Sequence, residues 1–160
     1  MKTTKYLLLF VFAITFLSCK TEVKKDVTVT HDEVVVVEKT LYENLGGEEG
    51  ISGAVEQIVT KHLENDKIKH YFLPLQENPE YFNQFKQHVK DFFAAGTGGP
   101  ADYKGRDMVG AHKGLNLSEA DFLSGIDDIL FVLDENGVDR VSRNELLAIL
   151  YSMKDVVIGQ

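Results

Sequence analysis

Residues 98–115 read GGPADYKGRDMVGAHKGL, and how this stretch is read decides the fold. Gly98, Gly99 and Pro100 stop whatever precedes them, and the segment that follows is irregular. A short helix is plausible only from about Asp107 to Lys113, and His112 sits in it with Met108, Val109 and Leu115 nearby. A lone histidine can be a surface residue, a satisfied core residue, a general base or a metal ligand. The residues on either side have to choose.

Towards the C-terminus the helical signals are strong. Ser118 to Asp121 has the form of a capping box, with Leu117 and Phe122 as its hydrophobic staple, and Phe122, Ile126, Ile129, Leu130 and Leu133 recur on one face. Ser142 to Glu145 repeats the pattern, with Val141 and Leu146 as staple and Leu146, Ile149, Leu150, Met153 and Val157 as stripe. Two long amphipathic helices joined by a short loop should pack against each other. Towards the N-terminus, Tyr81 to Ala95 carries Phe82, Phe85, Val89, Phe92 and Phe93 on one stripe, and Pro74 and Pro79 bracket a loop before it. A helix from about Glu48 to Asn65 places Ile51, Val55, Ile58, Val59 and His62 on one face, where His62 reads as packing. Thr40 to Glu43 is a further capping box, and Gly46-Gly47 stops the helix it starts. No strand in this region can pair, so the fold class is all-α.

The loop from Asp134 to Glu145 has the length and ends of a calcium-binding loop, but its fifth position is Val138 and its sixth is Asp139, with Gly137 one place early. Glu145 is better used as the capping residue of the last helix. The formal charge is −8, and −10 without the first eighteen residues, so no basic surface can neutralise phosphates and nucleic acid is not an expected partner. One cysteine, Cys19, excludes an internal disulfide and a thiolate-built zinc or iron–sulfur site.

Lys2 and Lys5 precede an apolar run of twelve, Tyr6 to Leu17, and Phe16-Leu17-Ser18 leads into Cys19. The run is short for a bilayer, which needs roughly 20 residues, and reads as an export signal. It resembles a bacterial lipoprotein signal, which implies residues 1–18 as signal peptide, lipidation of Cys19 and a membrane-anchored location in the cell envelope; Phe16 stands where leucine is more usual. An ordinary signal peptide or an uncleaved anchor is the alternative. Residues 19–39 read as a flexible tether: Val34 to Val37 is β-prone but has no second strand to pair with, and a lone strand is not stable. The domain is then 40–160.

The order and spacing of these elements resemble the group I truncated haemoglobins from about Thr40 to Val157. The motifs that carry the likeness are LYENLGGEEGI at 41–51, KIKHYF at 67–72, FFAAGTGGPADYKGRDM at 92–108 and AHKGL at 111–115. The resemblance implies a two-over-two helical sandwich holding haem b, iron protoporphyrin IX, with the second and phenylalanine helices as one pair and the two capped helices as the other. It implies that His112 is the proximal iron ligand, that Phe72 wedges against the porphyrin, and that Phe93, Tyr103, Met108 and Phe122 line it.

The distal side departs from the family pattern. Val59 stands where many members have a tyrosine, and Phe85 and Val89 stand where relatives often have glutamine or another polar residue, so no donor remains for a polarised iron-bound oxygen. In some cyanobacterial relatives a histidine at the position matching His88 is a second axial ligand. Here His88 either binds the iron opposite His112 or points to solvent or a haem propionate. These features imply reversible binding of a diatomic gas (dioxygen, nitric oxide or carbon monoxide), with an unidentified reductase as partner. Nitric oxide dioxygenation ranks lower, because Val59 removes the usual oxygen-stabilising group and an exported protein has no nicotinamide pool beside it. Bis-histidine electron transfer or redox sensing is the alternative, and a haemless interaction module a third.

Overall fold

The computed structural model describes residues 26–30 and 33–160, with side chains from Glu38 onward. The expected signal peptide and the expected lipidation of Cys19 lie outside the described residues. One expectation about the leader is corrected: Val34–Val37 does have a partner. Strand β1 (Asp26–Thr30) pairs antiparallel with β2 (Glu33–Val37), Val27 opposite Val36 and Val29 opposite Val34. The alternation DVTVT is itself a strand pattern, since threonine is as β-branched as valine.

From Thr40 onward the chain is helical, with no strand among the described residues of this part. Helix α1 (Leu41–Asn44) begins at the expected capping box: the Thr40 hydroxyl accepts from the Glu43 amide at 3.2 Å, and the Thr40 amide donates to the Glu43 carboxylate at 2.7 Å. Helix α2 (Gly47–Glu64) follows at once. The junction requires glycine at position 50, because a Cβ there would lie 2.1 Å from the Leu45 carbonyl oxygen. After α3 (Lys69–Phe72), the expected loop between the prolines contains a 3-10 turn, Leu73–Glu77. Helix α4 (Pro79–Gly96) starts two residues before the expected Tyr81, with Asn78 accepting from the Glu80 and Tyr81 amides and Pro79 in the first turn, where no amide hydrogen is needed.

Helix α5 (Met108–His112) is short, and α6 (Glu119–Glu135) begins at the Ser118–Asp121 capping box. Helix α7 (Arg140–Ser152) corrects the second box. Its cap is Asp139, which accepts from the Val141 and Ser142 amides, while Ser142 is buried one turn inside and donates its hydroxyl to Asp139. Val141 is exposed rather than stapled, and Asp139 caps because its carboxylate reaches two free amides while Ser142, three residues on, donates back to it. Helix α8 (Lys154–Val157) continues after a break at Met153.

Helix α2 packs on both α4 and α6, and α6 packs on α7, which gives the two-over-two arrangement. Ile51, Val55, Ile58 and Val59 of α2 meet Val132 and Leu133 of α6 and Leu146 of α7 in one core. Glu56 of α2 is clasped by Lys86 and Lys90 of α4, both at 2.8 Å, and these lysines hold its carboxyl below the ordinary value. No helix among the described residues is long and apolar enough to cross a membrane.

Candidate functional site: an oriented histidine and a half-covered aromatic face

His112 is the last residue of α5, half-buried, and its Nδ1 lies 2.7 Å from the Met108 carbonyl oxygen one turn back. A ring nitrogen at that distance from a carbonyl donates its hydrogen, which fixes the tautomer and leaves the Nε2 lone pair for a metal. The helix has no buried residue of its own, so its position depends on its flanks. At the N-terminal flank the Asp107 carboxylate accepts from the Gly110 amide, and the Tyr103 hydroxyl donates to the Arg106 carbonyl at 2.7 Å. At the other flank the chain turns through Gly114 and Asn116, both at positive φ. There the Gln160 carbonyl accepts from both amides, at 3.1 and 2.9 Å, and the Gly159 amide donates to the Leu117 carbonyl.

The residues expected around a haem fall into two layers. Val59, Phe93 and Phe122 are core residues. Phe85, Val89 and Met108, with Phe82 and Phe92, pack against that core but stay only partly buried, and Phe72 and Tyr103 are half-buried. The rings form two groups: Phe72 to Phe85 at 6.2 Å and Phe85 to Phe82 at 6.4 Å in one, and Phe92 edge-on to Tyr103 at 5.4 Å in the other. So many aromatic side chains left half-covered mark a binding surface. Gly105 belongs to this wall, because a Cβ there would come within 2.3 Å of the Tyr103 hydroxyl. Burial pushes the Tyr103 phenol above its ordinary value, so it remains a neutral donor to Arg106 at physiological pH.

Val59, Phe85 and Val89 bring no hydrogen-bond donor. His88 is half-buried, its ring edge-on to Tyr103 at 6.4 Å, and its nitrogens have no hydrogen-bond partner among the described residues. The structure therefore brings His88 to the same aromatic wall as Tyr103.

One group was not legible as a site. His62 is a core residue as expected, but it is also polar and partnered: its Nδ1 lies 2.9 Å from the Asp128 carboxylate, which also accepts from Asn65 at 2.9 Å, and Asn65 donates to Ser124 at 3.0 Å. Burial lowers the His62 pKa, more than the Asp128 hydrogen bond raises it. The ring is thus neutral at pH 7 and donates to Asp128. The available signal was Ser124 and Asp128, two polar residues four apart beside the apolar stripe of α6.

A two-layer helical sandwich with a half-covered aromatic face and one imidazole oriented by a carbonyl on a short helix has the form of an abbreviated globin. The model of the bacterial-like globin family matches residues 40–158. The group 1 truncated hemoglobin of Tetrahymena pyriformis is 34% identical over 122 residues, covering 76% of this chain and 97% of that protein. The group 1 truncated hemoglobin GlbN of Synechocystis sp. is 33% identical over 114 residues, 69% of this chain and 88% of that one. The crystal structure of the Tetrahymena pyriformis protein in its Fe(III) form superposes with a TM-score of 0.69 at 33% identity, covering 76% of this chain and all of that one. The chain belongs to the bacterial-like globins, among the group 1 truncated haemoglobins.

Haem b is the cofactor, and the residues present fit it: the half-covered aromatic wall suits a flat apolar ring, and the free Nε2 of His112 suits its iron. Bound there, haem would supply an iron that the His112 imidazole could hold. The chain's own contribution would be to fix the His112 tautomer and to offer the partly buried phenylalanines as an apolar wall.

Proposed function

We propose that this protein is a haem globin of the cell envelope, anchored through a lipid on Cys19, that reversibly binds a diatomic gas (dioxygen, nitric oxide or carbon monoxide). His112 is the proximal ligand, and His88 is the second axial ligand in the resting state, displaced when gas enters. The observation that carries this reading is the Met108 carbonyl on His112 Nδ1, which prepares the opposite nitrogen for iron. Two further features support His88: its nitrogens are not engaged with any described residue, and the distal side chains Val59, Phe85 and Val89 offer a gas no donor. A reductase that returns ferric iron to the ferrous state completes the cycle.

Absorption spectra of the wild type, His88→Ala and His112→Ala test the assignment. Haem is lost only from the His112 variant, and the His88 variant changes from low spin to high spin. A His88 variant with the wild-type spin state removes the bis-histidine reading. The apolar distal side also favours a second reading, electron transfer at a permanently six-coordinate iron. A ferrous spectrum that carbon monoxide barely alters selects it, and a rapid shift selects gas binding. Labelling with a radioactive fatty acid, abolished in Cys19→Ala, tests the anchor.

A further inference from the structure

Iron ligation makes no use of the polar group where α2 crosses α6. His62, in the last turn of α2, is 8% exposed, and Asp128 of α6 is 7% exposed. Hydrogen bonds from His62 and from Asn65 converge on one Asp128 oxygen, and Asn65 is held in turn by Ser124. A Cβ at Gly125 would meet His62 Cε1 at 3.9 Å, so α6 also lies close against the edge of the ring. The imidazole is held in its plane from two directions.

That plane is put against Phe72. The two rings stack with centroids 4.9 Å apart and 25° between their planes. Helix α3 is four residues long, has no side-chain cap and contains no buried residue. The Tyr71 hydroxyl ties it to α6 by donating to the Asp121 carboxylate at 3.1 Å, a bond that holds the neighbouring side chain rather than the Phe72 ring. Ile68, 2% exposed, anchors only the start of the helix. The other ring beside Phe72 is Phe85, inclined at 56°.

Packing alone does not explain a histidine–aspartate pair here, because well-packed apolar residues in place of a buried polar pair are often as stable or more so. An aliphatic side chain, however, has no plane, and an unanchored ring is free to turn. We propose that His62 is a positioning residue for the haem: its ring, fixed by Asp128 and Asn65, sets the orientation of Phe72 and through it the seat of the porphyrin. The proposal rests on Phe72 lining the haem; it is independent of whether His88 binds iron.

The test is the set of hyperfine-shifted haem methyl signals in the proton NMR spectrum of the ferric, cyanide-bound protein, together with the rate of haem transfer to an excess of a second apoglobin. His62→Phe keeps a ring but removes its anchor. The double variant His62→Leu/Asp128→Leu replaces the whole pair with apolar groups and keeps the proposal falsifiable should the single variant fail to fold. Both are expected to displace or double the haem methyl signals and to release haem roughly tenfold faster, the scale on which lost outer partners weaken a metal site. A purely structural role would move the melting temperature and leave these signals alone. Wild-type methyl shifts with wild-type haem transfer, in either folded variant, overturn the proposal. Phe72→Leu separates the two layers of inference: displaced signals there with unchanged signals in the His62 variants remove only the positioning role, whereas unchanged signals in both remove Phe72 from the haem wall as well.

Discussion

At the scale of single residues, two histidines of similar sequence context receive opposite tasks from their first partner. A carbonyl on Nδ1 leaves the Nε2 of His112 available to a metal, whereas burial keeps His62 neutral against the pull of the Asp128 carboxylate. The sign of the second effect is testable. Because the folded-state pKa of His62 is lowered, the unfolded chain takes up the proton more readily, and stability falls as pH drops below the ordinary histidine value of about 6.5. Melting curves from pH 7.5 to 5 should therefore show a steeper loss for the wild type than for His62→Leu/Asp128→Leu. Parallel curves would mean that His62 takes up its proton equally in both states. The short helix that carries His112 was readable from AHKGL and its neighbours. The role of His62 was not, because its hydrogen-bond partner Asp128 lies 66 residues away in sequence.

At the scale of elements, the start of α7 distinguishes a pattern from a cap. Ser142 to Glu145 has the letters of a capping box, yet Asp139 holds the free amides. Asp139→Ala should cost about 1 kcal/mol, and Glu145→Ala should stay within about 0.5 kcal/mol, as read from denaturant midpoints. The reverse order would restore the box. The helix that carries His112 is stabilised from far along the chain, by the pairing of Gly159 and Gln160 with residues 114–117. Deleting residues 158–160 is expected to speed haem loss several-fold while the far-UV helical signal stays unchanged. Wild-type haem retention would show that Asp107 and Tyr103 suffice to place α5. Nothing local in the sequence marks this contact, since main-chain hydrogen bonds have no residue preference that a pattern could reveal.

At the scale of the whole molecule, haem is part of the core that the helices leave half-covered. Binding to the folded state alone should stabilise the protein by about 2.7 kcal/mol when free haem is at a hundred times its dissociation constant. For a domain of this size that is roughly 5–10 °C in melting temperature. Calorimetry of the haem-loaded and haem-free protein checks the gain, and His112→Ala should lose most of it. An unchanged melting temperature would place haem outside the folded core.

The sequence by itself determined the helical class, the order of the elements and the caps at Thr40 and Ser118. All of these depend on periodicity and on contacts within a few residues, which a linear pattern records. The tertiary structure decided the partner of the valine strand, the true start of α7, the main-chain support beneath α5 and the anchored ring behind Phe72. Each of these depends on which distant groups arrive opposite one another once α2, α4, α6 and α7 have packed, and that is a property of the packing rather than of any one segment.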